Sequence, residues 1–101
     1  MKMLMIILKE SLEEDVRALL RREGVVAFTE LKEVTGRGEA GSTLHSLPWP
    51  GYNNLILTAL SEDDATRVVA ALTGFRDGLA EKQHGAKIPL RVFALPCELV
   101  V

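Results

Sequence analysis

The chain has 101 residues, 48% of them apolar and 26% charged, with a formal net charge of −2. That length makes one domain with one modest core, and the charge gives no bulk electrostatic reason to bind nucleic acid or an anionic membrane. The longest apolar run, residues 3–8, is far short of the ~20 residues needed to cross a bilayer. It is also short for a signal peptide, and no small-residue cleavage site follows it. The single Cys97 can form no internal disulfide and fits a reducing compartment. A cytoplasmic protein is expected.

Residues 3–8 are continuously apolar and bounded by charge, the pattern of a central strand buried on both faces. Ser11-Leu12-Glu13-Glu14 predicts a capping box, with the Ser11 hydroxyl accepting from the Glu14 N–H. Leu12, Val16, Leu19 and Leu20 then form one helical stripe, Arg21 and Arg22 suit the last turn, and Gly24 supplies a stop. Residues 25–34 read as a second strand and residues 55–60 as a third. Ser61-Glu62-Asp63-Asp64 repeats the helix-start chemistry. Ala65, Val68, Val69 and Leu72 make a second stripe, which Gly74 interrupts; residues 75–83 are a second helical piece or an extension of the first. Residues 84–87 read as a loop. Residues 88–95 read as a fourth strand, entered through Pro89, which favours an edge or a first position. Pro96 ends it, and residues 98–101 form a short apolar tail.

Ser11, Glu13, Glu14 and Arg17 recur fifty positions later as Ser61, Asp63, Asp64 and Arg67. Capped helices resemble one another, so this repeat is weak alone. It agrees with the order β-α-β-β-α-β, which predicts an α+β, ferredoxin-like sandwich: an antiparallel sheet with two helices on one face.

Between the second and third strands lies a segment too long for a hairpin turn, residues 35–53. Residues 34–54 hold four of the eight glycines, two of the four prolines, the only Trp, the only Tyr and one of the two histidines. Long connections of this kind, held at both ends by a sheet, tend to carry function. Gly36-Arg37-Gly38 suits backbone that approaches a ligand or takes positive φ. Leu44, Leu47, Trp49 and Tyr52 are too apolar for an idle loop and are candidate partner anchors, or else fold back onto their own sheet.

A strand ending Glu33-Val34, then Thr35-Gly36-Arg37-Gly38 and Gly41, a long loop, and a strand returning as Asn54-Leu55-Ile56-Leu57-Thr58-Ala59-Leu60 resembles the PII nitrogen-regulatory family, whose T-loop opens with a similar G-x-G. The later stretch from Arg91 through Leu95-Pro96-Cys97-Glu98 is similar to the basic residue, apolar strand and L-P-x-E ending of PII chains. The resemblance implies a regulatory homotrimer with one domain over residues 1–101. It implies an adenine nucleotide (ADP, AMP or ATP) or another small anion bound between subunits, and a target protein engaged through the loop. Gly36, Gly38 and Gly85 match family glycines, and Arg91 stands at a basic position that contacts phosphates. Arg37 and Lys87 are added as further cations, and Leu47, Trp49 and Tyr52 as the partner-binding residues. Glu39 and Ala40 stand where the family has an Arg and a Gln, Ile88 and Leu90 where it has glycines, and its C-terminal arginines have no counterpart. These departures point away from the usual Mg-ATP and 2-oxoglutarate response.

Two other chemistries compete. A trimeric divalent-metal protein of the CutA kind shares the fold plan, and His45 would be its first candidate ligand, with His84, Cys97, Glu39 and Glu98 behind it. Their spacing makes no site within one chain. For catalysis, Glu13, Glu14, Asp15, Asp63 and Asp64 are explained by helix starts. Ser42, Thr43 and Ser46 lie near His45 without a nucleophile motif, and Cys97 reads as a small buried hydrophobe. No enzyme is expected, nor nucleic-acid binding or membrane insertion.

Overall fold

A computed structural model describes residues 1–36 and 52–101. The elements are β1 (Lys2–Lys9), a 3₁₀ turn (Glu10–Leu12), α1 (Glu13–Arg22), β2 (Thr29–Val34), β3 (Asn53–Leu60), α2 (Glu62–Lys82) and β4 (Leu90–Pro96). The sheet order is β2-β3-β1-β4 with every pair antiparallel, the ferredoxin-like arrangement. β4 is an edge strand, as Pro89 predicts.

Alternation in the strands decides which face the helices cover. Leu4, Ile6 and Leu8 of β1 and Ile56 of β3 are at most 1% exposed, and they share the core with Val16, Leu19 and Leu20 of α1 and Ala65, Val68 and Leu72 of α2. The opposite parity makes a second, uncovered face. One row across it runs Arg91–Ile7–Leu55–Leu31, the next Phe93–Met5–Leu57–Thr29, and a third Leu95–Met3–Ala59. Phe93 is 49% exposed and Leu31 44%. The expectation that β1 is buried on both faces therefore fails within one chain: Met3, Met5 and Ile7 are only half-buried.

Two local readings need correction. Ser11 does not cap α1. It lies inside the 3₁₀ turn, the cap position falls on Leu12, and no side chain bonds there. The second half behaves as predicted, with Ser61 Oγ accepting from the Asp64 N–H at 3.2 Å. The second strand begins four residues later than expected, at Thr29. Gly24 takes φ 84°, and the N–H groups of Gly24 and Val25 bond back to the carbonyls of Arg21 and Leu20 at 3.0 and 2.9 Å. This is a Schellman ending. It turns Val25 into the core and carries residues 25–28 out of the sheet. Of the two readings of residues 75–83, the extension is the one found: α2 runs through Gly74 unbroken to Lys82. That helix stops in the same way, with Gly85 N–H to Ala80 carbonyl at 2.7 Å and His84 N–H to Glu81 carbonyl at 3.2 Å.

Arg67 joins the helices: its Nη2 donates to the Glu23 carbonyl at 2.6 Å while its Nη1 holds Asp64 at 2.8 Å. Beyond β4 the tail turns outward, and Leu99, Val100 and Val101 are all exposed. Cys97 is half-buried rather than buried, and its N–H reaches the Met1 carbonyl at 3.2 Å. No helix among the described residues is long and apolar enough to cross a membrane.

Candidate functional site

Strand direction collects the chemistry at one end of the sheet. The end of β1, the end of β2 and the starts of β3 and β4 all lie there, as the antiparallel registers require. Two backbone bonds close it. Lys9 N–H donates to the Pro89 carbonyl at 3.1 Å, and Glu10 N–H donates to the Tyr52 carbonyl at 3.0 Å. The return of the long loop and the approach to β4 are thus fixed to consecutive residues of β1 and its following turn. Glu10, the first residue of the 3₁₀ turn, is thereby held to the chain returning from the long loop.

Beside this end lies an open groove of about 490 Å³ between the second half of α2 and the edge of β4. Lys87 and Arg91 both line it, so the structure brings these two predicted residues together. A third cation, Arg76 of α2, lines it too. Arg76 holds Asp77 Oδ1 through Nε at 3.3 Å and Nη2 at 3.2 Å, an exposed pair between adjacent residues. Such a pair is held weakly and yields readily to a stronger anion. Ala80, Ile88, Val92 and Phe93 give the groove an apolar lining. Three cations above an apolar floor suit a ligand with an anionic end and a flat or apolar body. Ile88 and Leu90 are core residues, 7% and 5% exposed, so their bulk forms the floor of the groove and does not fill its mouth.

The predicted glycines divide. Gly85 adopts φ 82° with no atom within 4 Å of an added Cβ, so its backbone conformation alone demands glycine. Gly36 is not in the left-handed region, meets nothing within 4 Å and does not line the groove. Arg37, Gly38, His45, Leu47 and Trp49 lie outside the described residues. Tyr52 is described, half-exposed at 49%. Among the described residues no group of three or more His, Cys, Asp or Glu side chains is placed to hold a metal ion.

A polar cluster that the sequence reading missed sits under the same end. Asn54, 2% exposed, donates from Nδ2 to Glu13 Oε2 at 3.0 Å and to Glu30 Oε2 at 3.4 Å. Lys32 Nζ lies 3.2 Å and Arg17 Nη1 3.1 Å from Glu13 Oε1, and Arg17 also stacks over Phe28. The hydrogen-bonded Lys32 ammonium holds the Glu13 carboxyl below its usual range, and Arg17 adds to this against the opposing effect of partial burial.

A family model described as nitrogen regulatory protein P-II matches residues 1–98. Among solved structures, the chain is similar to CPII, a nitrogen regulatory PII-like protein from Thiomonas intermedia K12 bound to ADP, AMP and bicarbonate. The TM-score is 0.68 at 22% identity, over 93% of this chain and 86% of that one. The apo form of CPII gives 0.66 at 20% identity, over 93% and 85%. A putative PII-like signaling protein from Thermus thermophilus gives 0.56 at 20% identity, over 93% and 83%. No curated protein matches the chain.

Proposed function

The chain belongs to the P-II family of nitrogen regulatory proteins, and from that membership we propose that it is a signalling protein that works by binding, without catalysis of its own. Its ligand is a small anion, with an adenine nucleotide the leading candidate. It is held between subunits, with Lys87 and Arg91 contributed by the groove at the edge of β4, Gly85 by the turn before it, and Gly36, Arg37 and Gly38 as the expected donors of the long loop. Since β2 and β4 are opposite edges of one sheet, the two sets come from different chains. The observation that carries this is the convergence of Lys87, Arg91 and Arg76 on one groove with an apolar floor. The ADP, AMP and bicarbonate bound to CPII supply the first compounds to try. The departures at Glu39 and Ala40 favour a mononucleotide or small anion over Mg-ATP with 2-oxoglutarate.

The protein works as a homotrimer on this reading. The uncovered sheet face, with Met3, Met5, Ile7, Leu55, Leu57 and Phe93 in register, is apolar surface that gains by being covered. The exposed Leu99–Val101 tail adds to the same argument. A ligand that binds two loop states with different affinity would then change what Leu47, Trp49 and Tyr52 present to a target protein in the cytoplasm. Calorimetry with ADP, AMP, ATP and bicarbonate tests the reading. Micromolar binding that is lost in Arg91→Ala supports it, and the absence of binding by all four removes the nucleotide-and-anion proposal.

A further inference from the structure

The end of β2 is out of simple register. Leu31 pairs with Leu55, but the next pair is Val34 with Asn53, so Lys32 and Glu33 together oppose the single residue Asn54. This is a β-bulge, a feature that re-aims a strand next to a functional segment. Glu33 takes φ 57° within it, left-handed backbone that a residue with a Cβ adopts only when its surroundings insist.

The surroundings are supplied by Asn54. Its Oδ1 accepts from the Glu33 N–H at 3.3 Å. Its Nδ2 donates to the carboxylates of Glu13 and Glu30. Only one of the two amide orientations puts the NH₂ against two carboxylates and the oxygen against an N–H, so the side chain has a single satisfied state. Lys32, the other bulge residue, is tied to Glu13 through its ammonium. Both residues of the bulge therefore answer to the Glu13–Asn54 pair, one through its backbone and one through its side chain.

Register has a large lever here. Without the extra residue, Val34 and the residues after it would project from the opposite face of the sheet. We propose that Asn54 is a positioning residue that selects the bulged register of β2. It thereby sets the direction in which the chain leaves the sheet at Thr35, and it ties that direction to the start of α1. The inference concerns the unliganded protein and does not depend on what the groove binds.

The test is amide hydrogen exchange and cross-strand NOE spectroscopy on the ligand-free protein, with Asn54→Ala, Glu33→Gly and the two combined. In Asn54→Ala the Val34–Asn53 contact should be lost and exchange at Glu33 and Val34 should accelerate at least about tenfold, while Ile6 and Ile56 in the sheet centre stay protected. Glycine takes left-handed φ without penalty, so Glu33→Gly in the Asn54→Ala background should restore the Val34–Asn53 contact. A purely structural loss of packing at Asn54 would not be repaired that way. Should Asn54→Ala fail to fold, Glu33→Gly alone decides: it should keep the bulge and raise the melting temperature. An unchanged Val34–Asn53 contact in Asn54→Ala, a double variant that does not regain it, or a lower melting temperature in Glu33→Gly would overturn the proposal.

Discussion

The Thr58 hydroxyl donates to the Ala27 carbonyl at 2.8 Å, from a side chain in β3 that is only 2% exposed. It satisfies a backbone group of the segment that leaves the sheet ahead of β2. Thr58→Val keeps the shape and strands that carbonyl, so it should lower the unfolding free energy by about 1–2 kcal/mol in urea denaturation.

That bond also marks where the sequence stopped being informative. Periodicity found both helices and all four strands, because each carries its own apolar stripe, as Leu12, Val16, Leu19 and Leu20 do. It placed the start of the second strand too early, because Val25, Val26 and Phe28 have strand-like composition whatever their backbone partners are. Leu20 and Thr58 decide the matter, and they come from other elements. In the candidate site, Arg91 was singled out through the family resemblance and Lys87 as a cation close to it in sequence, and both line the groove. Arg76 was not singled out, because its approach to β4 depends on how α2 lies over the sheet. Asn54 was not, because a single amide at a strand start makes no pattern.

The two left-handed residues that end α2 should respond in opposite directions. His84 has φ 56° and Gly85 φ 82°. His84→Gly should raise stability by a few tenths to about 1 kcal/mol, and Gly85→Ala should lower it by about 1 kcal/mol, read from thermal or urea unfolding.

Ligand affinity should depend on the groove cations. Arg91→Ala removes a charge-assisted contact of about 1.5–3 kcal/mol, so calorimetry should show binding weakened roughly ten- to a hundred-fold. Arg76→Ala should weaken binding in the same direction but by less, since Arg76 must first leave Asp77. Trp49→Ala should leave ligand affinity unchanged and reduce capture of the target protein.

Acid should act through Glu13. Its carboxyl is held below the usual value of 4.5 by Lys32 and then Arg17. The contribution to stability is complete above that usual value and is lost as pH falls through the lowered one. Glu13→Gln should therefore flatten the fall in melting temperature below about pH 4.5 while changing little of its slope near neutrality.

Assembly should fail when charge enters the uncovered sheet face. For the homotrimer proposed above, Phe93→Asp, opposite Met5, should give single chains in sedimentation at micromolar concentration, with the circular dichroism of the monomer retained.

β1 pairs only with β3 and β4, and both follow the long loop. During synthesis β1, made before the other strands of this sheet, therefore has no neighbour until the chain beyond the long loop has been made. Through the making of α1 and β2 it waits as an apolar ribbon with two open edges, a template for pairing with another nascent chain. Closing the sheet joins distant parts of the chain, so its rate is set by long-range encounters more than by the quick formation of either helix. Overproduction yield and codon speed across residues 53–96 should consequently matter more to this protein than its folded stability suggests.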